Sequence, residues 1–347
     1  MTIDSPPGRP DATAGWVLRY LLDRGLLTAR DAVLSAPVAE DVSASHGSFL
    51  VRLGGSPRCF VKRANPQKSG RDLGAEPTAY RLAARHPALG ELLPRCLLID
   101  DASQTIVLDA LPASPLNTLL YGVDGGGVTP LLPAYGAAVA RVHTVRPVRF
   151  GTPPWLPIAL EPRWGPYAWL PAGCAAVLTR LRRSPVFRRE FAAARDEWRP
   201  RTLIHGDIRW ANALADTAAS RIWLVDWELS CAGDPAWDAG SLVADAVTMA
   251  AMYPATVITS DALPSAAALL RGYRDAAQLD AGEWQALLLR SVRFAGIRLV
   301  QTIIEYGYAA EAELPQAEQS LVPWAAQMVG DAQGVAATLT QHMEQAA

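Results

Sequence analysis

Hydrophobic and polar residues alternate along the first third of the chain and recur at helical spacing along the remainder. Period-two alternation predicts strands. The predicted strands occupy residues 36–43, 49–53, 59–64, 96–100 and 105–108. Gly54 and Gly55 separate the second run from the third, as is typical of a hairpin turn. The first third is thus predicted to form a small sheet with one helix, 73–85, inserted in it.

The rest of the chain has the periodicity of amphipathic helices and two further β runs, 203–205 and 222–226. The predicted helices cover residues 130–145, 174–183, 186–198, 235–252, 263–277 and 282–306, with a last segment after 314. A β-rich front and a helical back predict an α+β, bilobal protein with a small β-rich N-lobe and a larger helical C-lobe. We expect a poorly ordered terminus at 1–14, an N-lobe at 15–110 and a C-lobe at 111–347. The Pro- and Trp-rich segment 147–173, with Trp155, Trp164 and Trp169, gives no regular prediction.

Composition narrows the classes of function. The 347 residues carry 32 basic and 34 acidic side chains, a formal net charge of -2 that argues against a nucleic-acid binder. Half of the residues are hydrophobic, but no apolar run approaches membrane-spanning length without a charge or a proline. The four scattered cysteines predict reduced thiols. We therefore expect a cytoplasmic protein with no nucleic-acid or membrane partner.

The most informative polar residues follow the two late β runs. The first run leads into His205-Gly206-Asp207, Asn212 follows Asp207 by five positions, and the second run ends at Asp226. Oxygen-bearing side chains at adjacent strand ends suit a hard cation such as Mg²⁺. A carboxylate beside them can orient and deprotonate a hydroxyl that attacks ATP. The pattern therefore predicts phosphoryl transfer from ATP.

Motifs in this part of the chain resemble those of the aminoglycoside phosphotransferase or choline kinase-like family. They are A-x-x-H at 140–143, HGD-x-x-x-x-N at 205–212, D-W-E at 226–228 and GDP-x-W-D-x-G at 233–240. The resemblance extends from about residue 38 to residue 306. It implies a protein kinase-like fold, ATP and Mg²⁺ as cofactors, and a hydroxyl as the phosphate acceptor.

The resemblance also implies roles for single residues of the C-lobe. Asp207 would be the catalytic base, and Asn212 and Asp226 would bind magnesium. His205 would shape the loop by packing and hydrogen bonding, and Asp238 would accept hydrogen bonds from the loop backbone.

In the N-lobe, the kinase-like fold expects a strand lysine on the phosphates of ATP, paired with a helix glutamate. Lys62 and Glu76 match these positions. The loop that contains Ser45 and Ser48 could cover the phosphates with backbone N–H groups. The further expectation is that the backbone of Asp109 and Leu111 binds adenine.

The loop before Asn212 departs from the family, which often has Pro-Gly just before the asparagine, whereas this loop reads Arg209-Trp210-Ala211. An arginine there could neutralise charge on the γ-phosphate or could pair with a nearby acid. Two acceptors compete. One is a small molecule, such as an antibiotic, an amino alcohol or a sugar-like metabolite. The other is Ser or Thr of a ribosomal precursor peptide in lanthipeptide- or thioamide-type biosynthesis, with other biosynthetic subunits as partners.

Two further alternatives remain open from the sequence. A nucleotide-binding pseudokinase would keep the fold without the chemistry, although the intact Asp207, Asn212, Asp226 and Lys62 argue against it. Acidic residues near the end of the chain could line a pocket for a cationic acceptor, or could form a solvated helix face. These residues are Glu305, Glu311 and Glu313.

Overall fold

The structure is a computed structural model of the chain. The described residues are 13–43, 46–65, 72–120, 129–146, 150–154, 171–218, 220–252, 262–310 and 315–345. Ser45, Trp155, Trp164, Trp169, Glu311 and Glu313 lie outside these ranges. The chain divides into two compact units. Unit 1 comprises residues 1–85 and 93–112, and unit 2 comprises residues 86–92 and 113–347.

In its described residues, unit 1 combines a five-stranded antiparallel sheet of order β1-β2-β3-β5-β4 with three helices. The strands are β1 (Val38–Asp41), β2 (Gly47–Leu53), β3 (Ser56–Arg63), β4 (Cys96–Asp100) and β5 (Thr105–Asp109). The helices are α1 (Ala14–Asp23), α2 (Ala29–Leu34) and α3 (Glu76–Ala83). The predicted sheet and inserted helix are confirmed. Gly54 and Gly55 form the predicted turn and have φ values of +56° and +84°, which glycine adopts without a steric penalty.

The core of unit 1 follows from the alternation seen in the sequence. Phe49 and Val51 on β2 and Val61 on β3 point to one face of the sheet, and each is at most 1% exposed. Val17 and Leu21 of α1, spaced four apart, pack into the same cluster. Burying such a side chain contributes roughly 1.5–3 kcal/mol, and this core fixes the position of β3 and its polar residues.

Unit 2 is mainly helical. Its helices are α4 (Pro87–Gly90), α5 (Leu116–Leu120), α6 (Leu131–Val142), α7 (Ala172–Arg183), α8 (Pro185–Asp196), α9 (Pro235–Met252), α10 (Ala262–Ala277), α11 (Ala281–Ala310), α12 (Pro315–Gly330) and α13 (Ala332–Gln345). Its short strands are β6 (Ser114–Pro115), β7 (Thr202–Ile204), β8 (Ala213–Asp216), β9 (Arg221–Leu224) and β10 (Cys231–Gly233). With unit 1, this composition confirms the predicted α+β class.

Two glycines allow α6 and α10 to pack closely. A Cβ on Gly136 would overlap the carbonyl group of Leu269, and one on Gly272 would overlap that of Pro133. Each helix therefore needs a residue without a side chain where its backbone meets the other. The packed helices α6 and α10 support α9. Helix α9 is buried on almost all faces and carries polar residues of the candidate site.

The two β runs predicted around Asp207 and Asp226 are not neighbours in one sheet. β7 pairs with β10, whereas β9 pairs with β8, a strand that the sequence analysis did not predict. Ala213–Asp216 was missed because its residues lack β-branched side chains. The correction matters because Asn212, directly before β8, now shares a hairpin with Asp226.

The four cysteines form no disulfide, in agreement with the expected thiols. No helix in the described ranges has both the length and the apolar character that crossing a bilayer requires.

Candidate active site

The loop that follows β7 presents Asp207 on a tightly constrained backbone. Gly206 has φ +84°, and a Cβ at this position would meet the carbonyl oxygen of Leu229. Only glycine combines this dihedral with this close approach. Asp207 is 9% exposed. Steric constraints therefore explain why the HGD motif has a glycine at this position.

Asp238 holds the start of this loop, as the resemblance implied. Its Oδ2 accepts a hydrogen bond from the N–H of His205 at 2.7 Å, and its Oδ1 accepts one from Gly206 at 3.0 Å. His143, the histidine of the A-x-x-H motif, places Nε2 3.2 Å from Asp238 Oδ2 and Nδ1 2.6 Å from the hydroxyl of Tyr273. The expected role of Asp238 is confirmed by these contacts.

His205 has a structural role in the loop. Its Nδ1 accepts the N–H of Asp207 at 3.3 Å, so that Nε2 carries the proton and donates it to the carbonyl of Val225 at 3.0 Å. The residue is fully buried, and its ring lies against that of Trp227. With both nitrogens engaged, His205 links the two segments that carry Asp207 and Asp226.

Asp245, which sequence reasoning missed, holds the far side of the loop. Its Oδ2 accepts the N–H of Trp210 at 2.5 Å. Burial raises the pKa of Asp245 to about 7, against the opposing effects of the Trp210 hydrogen bond and the Arg209 charge. Asp245 is seven residues beyond Asp238 and therefore on the same face of α9. The seven-residue spacing from Asp238 was the sequence signal that could have identified Asp245.

Two arginines hold the proposed base. Arg209 donates from Nε to Asp207 Oδ1 at 3.0 Å and also from Nη2, and Arg298 of α11 donates from Nη2 to the same oxygen at 3.1 Å. Burial alone would raise the pKa of Asp207, but the charges of these arginines outweigh it and lower that pKa. Arg209 therefore pairs with an acid, one of the two roles that its sequence position suggested. Arg298 lies 91 residues from Asp207, and no motif pointed to it.

Asn212 contacts Asp207 directly. Its Nδ2 donates to the carbonyl oxygen and to Oδ2 of Asp207, both at 3.0 Å. Because Nδ2 serves Asp207, the amide oxygen of Asn212 remains for a cation. The N–H of Val225 donates to the Asn212 carbonyl at 2.9 Å, so Asp226 and Asn212 lie at one end of the β8–β9 hairpin.

These two residues offer one amide oxygen and one carboxylate. Mg²⁺ is commonly bound by one or two protein oxygens, with waters and substrate phosphates completing its shell. The donor set at this end of the hairpin fits that pattern. In the described ranges, no cluster of three or more His, Cys, Asp or Glu side chains forms an alternative metal site.

Unit 1 contains the predicted lysine–glutamate pair. Lys62 Nζ lies 2.7 Å from Glu76 Oε2, and their side chains are 8% and 2% exposed. Lys62 is the cross-strand partner of Ser48. The N–H of Ser48 donates to Ser43 Oγ at 2.9 Å, and its carbonyl accepts from Val42. The backbone of Ser48 is thus engaged within the β1–β2 hairpin.

The proposed adenine contacts lie at the end of β5. The N–H of Asp109 donates to the carbonyl of Arg95 at 2.8 Å, and its carboxylate pairs with the Arg95 side chain at 2.6 Å. A contact from Asp109 to adenine would therefore use its carbonyl oxygen. Leu111 follows the strand, half-buried and outside the sheet.

A cavity of about 310 Å³ opens beside the Asp207 loop within unit 2. Its lining includes Arg209, Trp210 and Asp245 together with Arg298 and Glu305 of α11. Glu305 is thus a cavity residue, not part of a purely solvated face. The cavity adjoins the arginines that hold Asp207.

Solved structures of the kinase-like fold resemble this chain throughout. A choline/ethanolamine kinase family protein from Mesorhizobium loti is 18% identical with a TM-score of 0.54, and the match covers 88% of this chain and 92% of that one. The ethanolamine kinase of Plasmodium vivax is 10% identical with a TM-score of 0.56 and coverage of 92% and 88%. The choline kinase of Cryptosporidium parvum is 11% identical with a TM-score of 0.53 and coverage of 96% and 97%. At these identities the likeness establishes the protein kinase-like fold.

Comparison with curated proteins by sequence finds no match. A family model is more informative. The model described as the phosphotransferase enzyme family, APH, matches residues 35–289, which is well over half of the chain and includes every motif described above. The chain therefore belongs to the APH phosphotransferase enzyme family.

Proposed function

We propose that this phosphotransferase moves the γ-phosphate of ATP, with Mg²⁺, to a hydroxyl group of a small molecule. The observation that carries the proposal is the contact of Asn212 with Asp207 at the end of the hairpin that also bears Asp226. This arrangement combines a carboxylate for the acceptor with oxygen ligands for a cation.

The transfer step follows from these positions. The acceptor oxygen forms a bond to the γ-phosphorus while the bond from that phosphorus to the β–γ bridging oxygen breaks, and ADP leaves with that oxygen. The hydroxyl proton passes to the carboxylate of Asp207. When bound, Mg²⁺ would neutralise phosphate charge. Asp207 does not need to be a strong base, because the transition state for phosphoryl transfer is loose and depends mainly on positioning.

Lys62 supports the nucleotide part of the proposal. It is buried beside Glu76, whose carboxylate fixes the position of its ammonium group. A lysine held in this way would bind phosphate oxygens of ATP as a point charge. Backbone groups of Asp109 and Leu111 remain candidates for adenine, and those of Ser45 for the phosphates. The backbone N–H of Ser48 already binds Ser43 Oγ, so Ser48 could bind a phosphate only through its hydroxyl.

A small acceptor is favoured by the cavity beside the loop. Its volume of about 310 Å³ is at the lower end of the range of roughly 300–1,000 Å³ for ligand pockets. Such a space suits one small hydroxyl compound better than a folded-in peptide segment. The precursor-peptide acceptor and its partner subunits stay a prediction.

The test is release of ADP from Mg–ATP by the wild type, by Asp207→Asn and by Asp196→Asn, with amino alcohols, sugars and hydroxy acids as acceptors. Asp196 is an exposed residue of α8 that, within the described part of the chain, pairs with its neighbour Arg195. We expect Asp207→Asn to lose at least about a thousandfold in turnover and Asp196→Asn to match the wild type. Equal turnover by Asp207→Asn and the wild type would exclude Asp207 as the base.

A further inference from the structure

Four charged residues form a closed network beside the cavity. Arg209 and Arg298 each bridge Asp207 and Glu305. Arg209 Nη2 lies 3.2 Å from Glu305 Oε2, and Arg298 Nη1 lies 3.1 Å from Glu305 Oε1. We call these four residues the Asp207 network. Both arginines and Glu305 also line the cavity, so the groups that hold the base face the space available to an acceptor.

The carboxylates of the cavity are already neutralised. Glu305 is held by both arginines and also accepts a hydrogen bond from Gln301 Nε2 at 2.9 Å. The raised pKa of Asp245 leaves that side chain largely uncharged below about pH 7. Among the described residues that line the cavity, a cationic acceptor would find no unpaired carboxylate. The guanidinium of Arg209, with its side chain 34% exposed, would oppose the approach of a cation.

Arg209 retains donors for a ligand. Its Nε and Nη2 bind Asp207 and Glu305, whereas Nη1 donates to no group in the described part of the chain. Its side chain is 34% exposed, in contrast to 5% for Arg298. A planar guanidinium with free N–H groups in a cavity is suited to a carboxylate or a phosphate.

We propose that the acceptor of this enzyme is a small hydroxyl compound that carries an anionic group, a carboxylate or a phosphate, which Arg209 binds with support from Arg298. An anion on Nη1 would bind the same guanidinium group whose Nε and Nη2 hold Asp207 Oδ1. Recognition of the anion therefore places a nearby hydroxyl at the base. This inference rests on the proposed function and specifies its substrate class.

Matched acceptors test the inference in the wild type. Glycerate, glycerophosphate, glycerol and serinol share a small skeleton and differ in charge, as do gluconate, sorbitol and glucamine on a larger one. We expect the best anionic member of a set to have a kcat/KM at least about tenfold above its neutral and amine counterparts. Comparison of kcat/KM for glycerate and glycerophosphate shows whether the site prefers a carboxylate or a phosphate. A neutral or amine member that is used equally well or better overturns the inference and leaves the phosphotransferase standing.

Substitution tests the residue assignment. In Arg209→Gln, the preference for the anionic member should shrink to within about threefold, whatever happens to the absolute rate. Arg293→Gln is the control, because Arg293 lies on α11, as Arg298 and Glu305 do, but pairs at 2.8 Å with Glu197 instead. A preference that survives Arg209→Gln overturns the assignment.

Calorimetric binding of glycerate and gluconate without ATP separates the two hypotheses. Binding that is lost in Arg209→Gln, with no transfer to any acceptor, would keep the anion site and remove the proposed function. Transfer that depends on Asp207 but shows no preference for anionic acceptors would keep the proposed function and remove the anion site. The absence of both binding and transfer would overturn both hypotheses.

Discussion

Asp238 and Asp245 lie seven residues apart on α9, and their carboxylates hold the two ends of one loop. Asp238 accepts the N–H groups of His205 and Gly206, and Asp245 accepts that of Trp210. Residues separated by two helical turns share a face. The loop that carries Asp207 is therefore attached at both sides to a single buried helix, which fixes its geometry before any ligand binds.

The first prediction concerns the backbone of that loop. Gly206→Ala should destabilise the protein by about 2–4 kcal/mol, because it combines a left-handed dihedral with overlap on the carbonyl of Leu229. Gly25→Ala is the control. Gly25 has a similar φ of +69° but nothing within 4 Å of an added Cβ, and should lose only about 1 kcal/mol. Urea unfolding and ATP turnover are measured for both variants. Equal losses of unfolding free energy in Gly206→Ala and Gly25→Ala would refute the steric account.

The second prediction concerns the cation. Asn212→Ala removes an amide oxygen and two hydrogen bonds to Asp207. The Mg²⁺ concentration for half-maximal ATP turnover should rise by about 10- to 100-fold. Asp216→Asn, at the opposite end of the same hairpin, should leave that concentration unchanged. A normal magnesium requirement in Asn212→Ala would exclude Asn212 from the metal site.

Part of the candidate site could be recognised from the sequence, and the rest could not. Asp207, Asn212 and Asp226 could be recognised because they lie within 20 residues of one another in contiguous motifs. Arg298 could not, because its contact with Asp207 depends on how α11 packs against α9. Pairing of β7 with β10 was also inaccessible, since three-residue strands such as Cys231–Gly233 have no periodicity to detect.

The third prediction concerns the buried pair of unit 1. Lys62→Met removes the cationic partner of the buried Glu76 carboxylate, and should lose about 3–5 kcal/mol of unfolding free energy. Adding Glu76→Gln should restore most of the stability and none of the ATP turnover, because the phosphate-binding charge is still absent. Arg52→Met, which breaks the more exposed pair with Glu40 on the same sheet, should lose less than about 1 kcal/mol. Recovery of turnover in the double variant would exclude Lys62 from phosphate binding.

The fourth prediction concerns the pH dependence of stability. Burial raises the pKa of Asp245 from its ordinary value of 3.8 to about 7. Between about pH 4 and pH 7 the folded chain therefore holds a proton that the unfolded chain has released. This contribution is complete below the unfolded pKa and is lost as the pH rises through the folded pKa. The wild type should become less stable over this range through Asp245.

Asp245→Asn isolates this contribution, because asparagine stays neutral and its amide oxygen can still accept the Trp210 N–H. Relative to the variant, the wild type should lose about 1–3 kcal/mol between about pH 5 and pH 8. The lower end of this range allows for solvent screening, because Asp245 is only half-buried and lines the cavity. Arg209 and Arg298 oppose the shift and Asp207 reinforces it. If urea unfolding shows parallel pH profiles for the two proteins, Asp245 is already ionised in the folded state and its charge, not its proton, holds the loop.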